Sequence, residues 1–283
     1  MEESRPPDDD EPVGPAGRRV GGPRIAGQAG QWAHVAEDPD AYQHLPPTAS
    51  REVRDEVVLV HSNGGGAWSA LALRIRFDAT DVQSNIAAVR ACFARRQVEE
   101  FRWLIGPSAT PPGITQALLD HGAERDEDEP EVTAMVLDRE PPVVIGPAVR
   151  SITSLADFEA MEAIREEVFG TPRTSRPAKL GARWLAFKAA GSIALLAEVD
   201  GVAASFGVLD RTSAGAMLLA GGATRPEFRG RGAYRALVHA RWEVAKQMGA
   251  SALVTQAQSA SRPILERLGF QATGTIEVLV DHP

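Results

Sequence analysis

The apolar positions in the last third of the chain alternate between the periods of strands and helices. A short apolar run over 216–224 predicts a buried strand, and Pro226 ends its hydrogen bonding. From Ala233 to Met248 apolar residues recur at three- and four-residue steps, which predicts a helix with one buried face, ended by Gly249. The pattern then predicts a strand over 252–258, a short helix over 262–268 and a last strand over 275–280.

Upstream of this region the pattern predicts two helices followed by a β-hairpin. Ser154 can cap the first helix together with Asp157, and an apolar stripe follows at helical spacing. A second segment, 183–190, is rich in large apolar residues. The dipeptide Asp200-Gly201, a strong hairpin signal, then joins two apolar runs at 193–199 and 202–209.

The first half of the chain shows a similar order of elements. Its pattern predicts strands at 57–61, 70–77 and 101–105, with a helix at 82–94. A short helix at 114–122 and an alternating strand at 131–137 then parallel the helix and strand that end the chain. This parallel predicts an internal duplication, and an unrelated α/β domain is the alternative.

Composition suggests where the chain divides. Residues 1–45 are rich in Asp, Glu, Pro and Gly, which predicts a disordered tail. We place the first domain at 46–140, a linker at 141–148 and the second domain at 149–283. The stretch Asn63 to Gly66 is interpreted as a hairpin loop, because no helix follows it as a phosphate loop would require.

The run from Arg229 to Tyr234 carries the clearest chemical signal. It reads Arg-Gly-Arg-Gly-Ala-Tyr and lies between the strand 216–224 and the following helix. Free backbone amides and the positive end of the helix dipole favour an anion at that point, and glycines let phosphate oxygens approach the backbone. Arg229, Arg231 and Arg235 add positive charge. We therefore interpret residues 229–234 as a phosphate cradle.

Two nucleotide-binding motifs fit this run less well. A Walker A loop needs Lys-Ser or Lys-Thr after its second glycine, where this chain has Ala233-Tyr234. A dinucleotide fold needs a third glycine, and Arg235 stands in that position. A glycine-rich turn with solvated arginines is the remaining alternative to a cradle.

These residues resemble the GNAT superfamily of N-acetyltransferases. Its acetyl-CoA signature, R/Q-x-x-G-x-G/A, is matched by Arg229 to Ala233, with Tyr234 where the family usually has a small residue. Leu268-Gly269-Phe270 matches the family's closing signature. The resemblance covers about 149–282 and implies an α/β fold with a mixed α+β sheet. For the whole chain it implies a tandem GNAT-like acyl-CoA N-acyltransferase fold.

The resemblance implies acetyl-CoA as the acyl donor. Gly222, Ala223 and Thr224 would pair with the pantetheine arm like an added strand. The amides of Gly230, Arg231, Gly232, Ala233 and Tyr234, next to Arg229, would hold the pyrophosphate. An amine would then attack the thioester directly, with rate gained from positioning and from polarising one oxygen.

The proton-transfer residues are not fixed by the resemblance. The family commonly has a tyrosine that protonates the departing thiolate, and Leu265 stands at that position here. The chain's two tyrosines, Tyr42 and Tyr234, do not align with it. We name Ser259 and Glu198 as weak catalytic candidates, with Ser259 also able to bind the cofactor, and Asp210 as a further carboxylate. The acceptor site is expected near the loop 170–180.

The first half resembles a degenerate GNAT-like domain. Its helix 82–94 stands where a cradle helix would be, but Asp78, Thr80 and Asp81 precede it in place of arginine and glycine. Carboxylates at that point would repel phosphate. We therefore expect this half to have lost cofactor binding.

Composition limits the remaining functions. The net charge of -8 gives no basic footprint for nucleic acid, and no apolar run reaches the roughly 18 residues of a membrane span. The one cysteine and six scattered histidines predict no metal site and favour the cytoplasm. A homodimer is left open.

Two functions follow from these observations. The first is an N-acetyltransferase that acts on a primary amine of a small molecule or protein. The second is a catalytically weak CoA-binding protein with a regulatory or scaffolding role, which the missing tyrosine keeps open.

Overall fold

The structure, a computed structural model, describes residues 28–40, 49–62, 68–143, 145–170 and 177–283. Within these ranges a mixed sheet runs through the molecule, with helices on both faces. Its strands are β1 (Ala49–Val53), β2 (Val58–Ser62), β3 (Ala70–Leu73), β4 (Phe101–Ile105), β5 (Glu124–Arg125), β6 (Glu131–Leu137), β7 (Ala148–Ser151), β8 (Ile193–Val199), β9 (Val202–Arg211), β10 (Met217–Thr224), β11 (Leu253–Ala257) and β12 (Gln271–Asp281).

The helices lie between these strands. They are α1 (Ala33–Glu37), α2 (Val82–Arg95), α3 (Ile114–Asp120), α4 (Leu155–Phe169), α5 (Pro177–Ala189), α6 (Ala233–Gln247) and α7 (Arg262–Arg267). In the described part of the chain, 3-10 helices at Gln28–Trp32 and Pro226–Phe228 precede α1 and the phosphate cradle. The predicted mixed α/β architecture is confirmed.

The two halves of the chain repeat one another. In the first half β1 and β2 pair antiparallel, β2 and β3 pair antiparallel, and β3 and β4 pair parallel. In the second half β8, β9, β10 and β11 pair in the same pattern. Helix α2 then corresponds to α6 and α3 corresponds to α7, so the observed topology agrees with the predicted duplication.

The halves exchange their last strands. The sheet order is β1-β2-β3-β4-β12-β6-β11-β10-β9-β8-β7, so β12 completes the first half and β6 completes the second. At the centre β6 and β12 pair antiparallel, with Thr275 opposite Thr133 and Glu277 opposite Glu131. The division into 46–140 and 149–283 stays a prediction about folding units, since each half takes one strand from the other.

Apolar side chains cover both faces of the sheet. On one face α2 and α3 pack over the first half, around Phe93 and Trp103, while α6 and α7 pack over the second, around Trp242 and Leu265. On the other face α4 and α5 pack against β8, β9 and β10. The central strands on that face are covered by the segment from the 3-10 helix through α1.

This N-terminal segment corrects the predicted disordered tail of residues 1–45 over 28–40, whereas 1–27 and 41–45 lie outside the described residues. Residues 28–37 are helical, and Ala29, Val35 and Ala36 are buried in the central core. So short a helix has little stability of its own, and its packing on the sheet holds it in place. Composition alone could not reveal this, because the few apolar residues lie among glycines and acidic residues.

The other predicted elements are present with shifted ends. The helix predicted at 183–190 begins at Pro177, and the last strand begins at Gln271 instead of 275. Strand β3 ends at Leu73, short of the predicted 77, because Arg74 adopts a positive φ of 52° that turns the chain. The predicted hairpin loop at 63–66 and most of the loop 170–180 lie outside the described residues.

Candidate active site

A cleft opens in the sheet where β10 and β11 part. The two strands pair in parallel only at Met217 with Leu253 and Leu218 with Val254. Immediately beyond, the Thr255 hydroxyl donates to the Leu219 carbonyl over 3.1 Å. After that point β10 continues to Thr224 bonded to β9 alone, and β11 continues bonded to β6. This gives the separation of strands expected for the pantetheine arm.

The cleft edge of β10 contains the predicted pantetheine residues. A β-bulge lies between Ala220 and Gly222, and Gly221 adopts a φ of +46° there. Beyond the bulge Gly222, Ala223 and Thr224 pair with β9 on one edge, so their other edge faces the cleft. A bulge increases twist and redirects the strand, and here it does so at the mouth of the cleft.

The phosphate cradle lies directly after β10. Gly230 and Gly232 have φ values of +75° and +83°, which favour glycine, and a Cβ on Gly230 would meet no atom within 4 Å. Gly232 is the N-cap of α6, and no described side chain caps the helix there. The first-turn amides of a helix with no side-chain cap can receive an anion. The cradle residues therefore fit a pyrophosphate.

The arginines of the cradle differ in their partners. Arg231 pairs with Asp200 of the β8–β9 hairpin over 2.7 Å and lies over the Phe228 ring. Arg229 is exposed, and its Nε donates to the Thr224 carbonyl over 3.3 Å. Arg235 is exposed on the first turn of α6. Arg231 therefore contacts the hairpin beside the cradle, and all three arginines are exposed.

The Tyr234 side chain packs, partly buried, against the apolar cluster around α6. Its ring turns under the sheet, where a Cβ on Gly222 would lie 3.5 Å from the Tyr234 Cε2 atom. The larger side chain at this sixth position of the signature is thus accommodated by the glycine above it.

The weak catalytic candidates both have other partners. The amide and hydroxyl of Ser259 donate to Glu129 over 2.8 and 3.3 Å, next to a cavity of about 430 Å³ between β6, β11 and α7. Glu198 accepts from Arg150 of β7 over 2.8 Å, and its strand is two strands from β10. Neither is placed by these contacts in the cleft between β10 and β11.

Two other positions bear on proton transfer. Leu265, at the place of the family's tyrosine, is buried in the apolar cluster under α6 and α7. Asp210 of β9 is opposite Leu218 of β10, and burial raises the pKa of its carboxyl against a hydrogen bond with Ser192 and the charge of Arg165. Asp210 is thus one strand from β10, whereas Glu198 is two strands away, and it lies at a register where β10 still pairs with β11.

A cluster of ion pairs on the α4 side of the sheet was not predicted from the sequence. Glu162 of α4 pairs with Arg183 of α5 over 2.5 Å and with Arg165 over 3.4 Å. The Arg165 guanidinium lies 5.3 Å from the centre of the Phe206 ring, and Phe206 is opposite Ala223. The three-residue spacing of Glu162 and Arg165 is a signal in the sequence, but their position beside the cleft depends on the fold.

The corresponding cleft in the first half is closed by the chain itself. Strands β3 and β4 pair at Leu71 with Arg102 and Ala72 with Trp103. Beyond them the Thr110 amide donates to the Ile75 carbonyl, and the Phe77 amide donates to the Thr110 carbonyl, both over 3.2 Å. A ligand therefore has no open backbone edge at this place.

The helix start of the first half is acidic, as the sequence indicates. Asp78 accepts from the Thr80 amide over 3.0 Å and from its hydroxyl over 2.9 Å. These bonds lower the pKa of the Asp78 carboxyl, so it is charged at neutral pH. Negative charge at the start of α2 opposes phosphate binding.

Two further findings concern other ligands. Among the described His, Cys, Asp and Glu side chains, none form a group of three or more that could hold a metal ion. None of the helices in the described ranges has both the length and the hydropathy needed to cross a bilayer.

Comparison with known proteins agrees with this geometry. Residues 158–270 match the model of the acetyltransferase (GNAT) family. This match spans the cleft, the cradle and the closing Leu-Gly-Phe. No curated protein sequence matches the chain significantly.

Solved structures resemble the chain over both halves. A GCN5-related N-acetyltransferase from Kribbella flavida is 20% identical, with a TM-score of 0.63, over 90% of this chain and 96% of that one. A tandem GNAT protein from the clavulanic acid biosynthesis pathway is 16% identical, with a TM-score of 0.57, over 86% of each chain. A GCN5-related N-acetyltransferase from Sphaerobacter thermophilus is 16% identical, with a TM-score of 0.58, over 85% of this chain and 83% of that one. At these identities the likeness is one of fold.

Proposed function

We propose that this chain, in which residues 158–270 form a domain of the acetyltransferase (GNAT) family within a tandem GNAT fold, transfers an acetyl group from acetyl-CoA to a primary amine. The amine belongs to a small molecule or to a protein. The first half has a structural role, completing the sheet of the second half through β6.

The observation that carries this proposal is the continuity of the cleft and the cradle. The free edge of Gly222, Ala223 and Thr224 is followed, after one turn of 3-10 helix, by the uncapped start of α6. An extended arm that ends in a pyrophosphate needs a strand edge and then an anion site, in that order. The second half of the chain provides both, whereas in the first half one is blocked and the other is acidic.

Catalysis in this site rests mainly on positioning. The backbone of β10 beyond the bulge aligns the bound thioester, and its amides polarise the carbonyl oxygen. Acetyl-CoA supplies the activated acyl group. The acceptor amine approaches from the face covered by α4 and α5, where Arg165 lies over Phe206, the residue opposite Ala223.

The cradle is tested by calorimetric titration of acetyl-CoA. Gly232→Asp puts a carboxylate beside the proposed pyrophosphate, and we expect about 100-fold weaker binding, a change of roughly 2.7 kcal/mol. Gly249→Asp is the matched control, because Gly249 has a φ of +79° beyond the other end of α6, with no atom within 4 Å of a Cβ. Equal affinities in all three proteins would refute the cradle.

Turnover is tested separately with a panel of primary amines and a thiol-release assay. Release that depends on the amine and is lost in Gly232→Asp supports an acetyltransferase. Tight acetyl-CoA binding without thiol release would support the second function, a CoA-binding regulatory or scaffolding protein, for which the buried Leu265 is the favouring observation.

A further inference from the structure

The N-terminal segment, residues 28–40, lies on the same face of the sheet as α4 and α5. Its Val35 and Ala36 are buried in one apolar cluster with Leu218 of β10 and Val254 of β11. Helix α1 packs against β6, β11 and β12, whereas α4 packs against β9 and β10. On this face, the two strands that bound the cleft are therefore covered by different helices.

A hydrogen bond holds this segment beside the open part of the cleft. The side-chain amide of Gln256 donates to the Glu37 carbonyl over 2.7 Å. Gln256 lies two residues beyond Val254, where β11 makes its last pair with β10, so it belongs to the part of β11 that has left β10. The end of α1 therefore lies over the part of β11 that bounds the cleft.

Two further contacts fix the segment. The Glu37 carboxylate accepts from the Ser108 amide, after β4 of the first half, over 2.9 Å. The Asp40 carboxylate accepts from the Ser213 amide, in the turn between β9 and β10, over 2.9 Å. The segment is thus bonded to the first half, to β11 and to the turn before β10, and it forms a fixed wall on the β11 side of the cleft.

Ala220 of β10 marks the place where the two covers meet. It lies at the bulge, and it packs both against the cluster beneath the N-terminal segment and against the cluster beneath α4 and α5, which includes Phe206 and Val208. Leu218 and Val254 are buried, whereas Ala220 is partly exposed. We call the opening above Ala220, between α4 and the N-terminal segment, the acceptor slot. Its floor is apolar.

The depth of the acceptor slot limits what can enter it. A helix with its side chains is about 10 Å across, so the cleft edge lies about 10 Å below the outer surface of the helices on either side. A lysine side chain reaches only about 6 Å from Cα to its amine, through five bonds of about 1.5 Å. A lysine on a folded protein surface is therefore too short to reach the cleft edge, whereas a small amine can enter whole.

We propose that the acceptor is a small-molecule primary amine with a slender apolar stem, which enters through the acceptor slot. This inference rests on the proposed function and names its substrate class. In the transfer the amine nitrogen bonds to the carbonyl carbon, the carbon–sulfur bond breaks with its electron pair on sulfur, and the proton lost by nitrogen balances that charge. The N-terminal segment determines specificity, because it keeps folded proteins away from the bound thioester.

The test uses the wild-type protein, free alkylamines and a folded carrier protein that bears amines on alkyl stems. The carrier's own surface lysines reach about 6 Å, and attached stems of about twelve carbons reach about 15 Å. We expect acetylation of the free alkylamines and of the long stems, and roughly 100-fold slower acetylation of the carrier's lysines, because their amines cannot reach the attacking position.

Mass spectrometry of the carrier gives the rate at each amine. Lysines acetylated as fast as the long stems would overturn the acceptor slot and leave the proposed function intact. Wild-type protein that binds acetyl-CoA but acetylates no primary amine, free or attached, would overturn the proposed function and this inference with it.

A second test narrows the floor of the slot. Ala220→Leu adds bulk between α4 and the N-terminal segment, and we expect the KM of the amine to rise about tenfold, with the acetyl-CoA dissociation constant changed less than about twofold. Ala203→Leu is the matched control, because Ala203 packs against the same α4-side cluster but lies on β9 beyond its last pair with β10. The control should keep the wild-type KM. An unchanged KM in Ala220→Leu would overturn the placement of the slot.

Discussion

At the scale of single residues, packing in the second half depends on a glycine that leaves room for another side chain. Gly207 is not required for a turn. It is required because the Arg241 guanidinium occupies the position of its side chain. That guanidinium is buried and bonded to two backbone carbonyls, so it has little freedom to move aside. Glycine in a strand interior often marks such a close approach.

Gly207→Ala is therefore expected to be destabilising, by about 1–3 kcal/mol, as in other overpacked sites. The matched control is Gly181→Ala in α5, where a Cβ meets no atom within 4 Å. There the helix is expected to gain about 0.5–1 kcal/mol. Urea denaturation of both variants measures the difference, and equal effects would show that the space beneath Gly207 is not filled as described.

Residue-level chemistry was only partly readable from the sequence. The cradle glycines were predicted at a helix start, because their signal is local and contiguous, and the cleft edge was implied by the family resemblance; cofactor binding by either stays a prediction. The inward turn of Tyr234 and the partner of Ser259 were not, because both depend on residues distant in the chain, Gly222 and Glu129. Glu198 was named for its place near the expected cleft, but in the structure it accepts a hydrogen bond from Arg150.

At the scale of elements, the predicted helix cap and hairpin turn are confirmed, because both depend on residues that are close in the chain. Ser154 and Asp157 form the predicted capping box at the start of α4. Asp200 and Gly201 both have positive φ, as a tight hairpin requires. Strands β1 and β7, at the edges of the sheet, were missed because each is four or five residues long and mostly polar or exposed.

Ion pairs connect one of these edge strands, β1, to the end of α2. Glu52 of β1 accepts from Arg54 and, over 2.7 Å, from Arg96 beyond the end of α2. Hydrogen bonds from Arg96 and Arg54 lower the pKa of the Glu52 carboxyl to about 2, from 4.5. A depressed carboxyl pKa stabilises the fold above pH 4.5, and this contribution is lost as the pH falls towards 2.

Glu52→Gln is thus expected to lose less stability than wild type between pH 5 and pH 3. The effect is modest, because the carboxylate is 37% exposed and solvent screens it. Glu99→Gln, at an exposed glutamate without an ion pair to the described residues, should retain the wild-type pH dependence. Urea denaturation midpoints at pH 5 and pH 3 test this expectation. An equal loss of stability in wild type and both variants would contradict stabilisation by these ion pairs.

At the scale of the whole molecule, one architecture is used in two ways. The second half leaves its strands parted and its helix start uncapped. The first half closes the same gap with Thr110 and puts Asp78 before its helix. Duplication was predicted from the repeated order of elements, but the exchange of β6 and β12 was not, because periodicity does not encode which strands pair.

We propose that the molecule has one acyl-donor site, in the cleft between β10 and β11. A crystal structure of the full chain grown with coenzyme A tests it most directly. We predict the pantetheine arm along Gly222, Ala223 and Thr224 and the pyrophosphate at the amides of 230–234, with none at α2. Coenzyme A bound against Thr110 and α2, or absent from the cleft while bound elsewhere, would contradict the account.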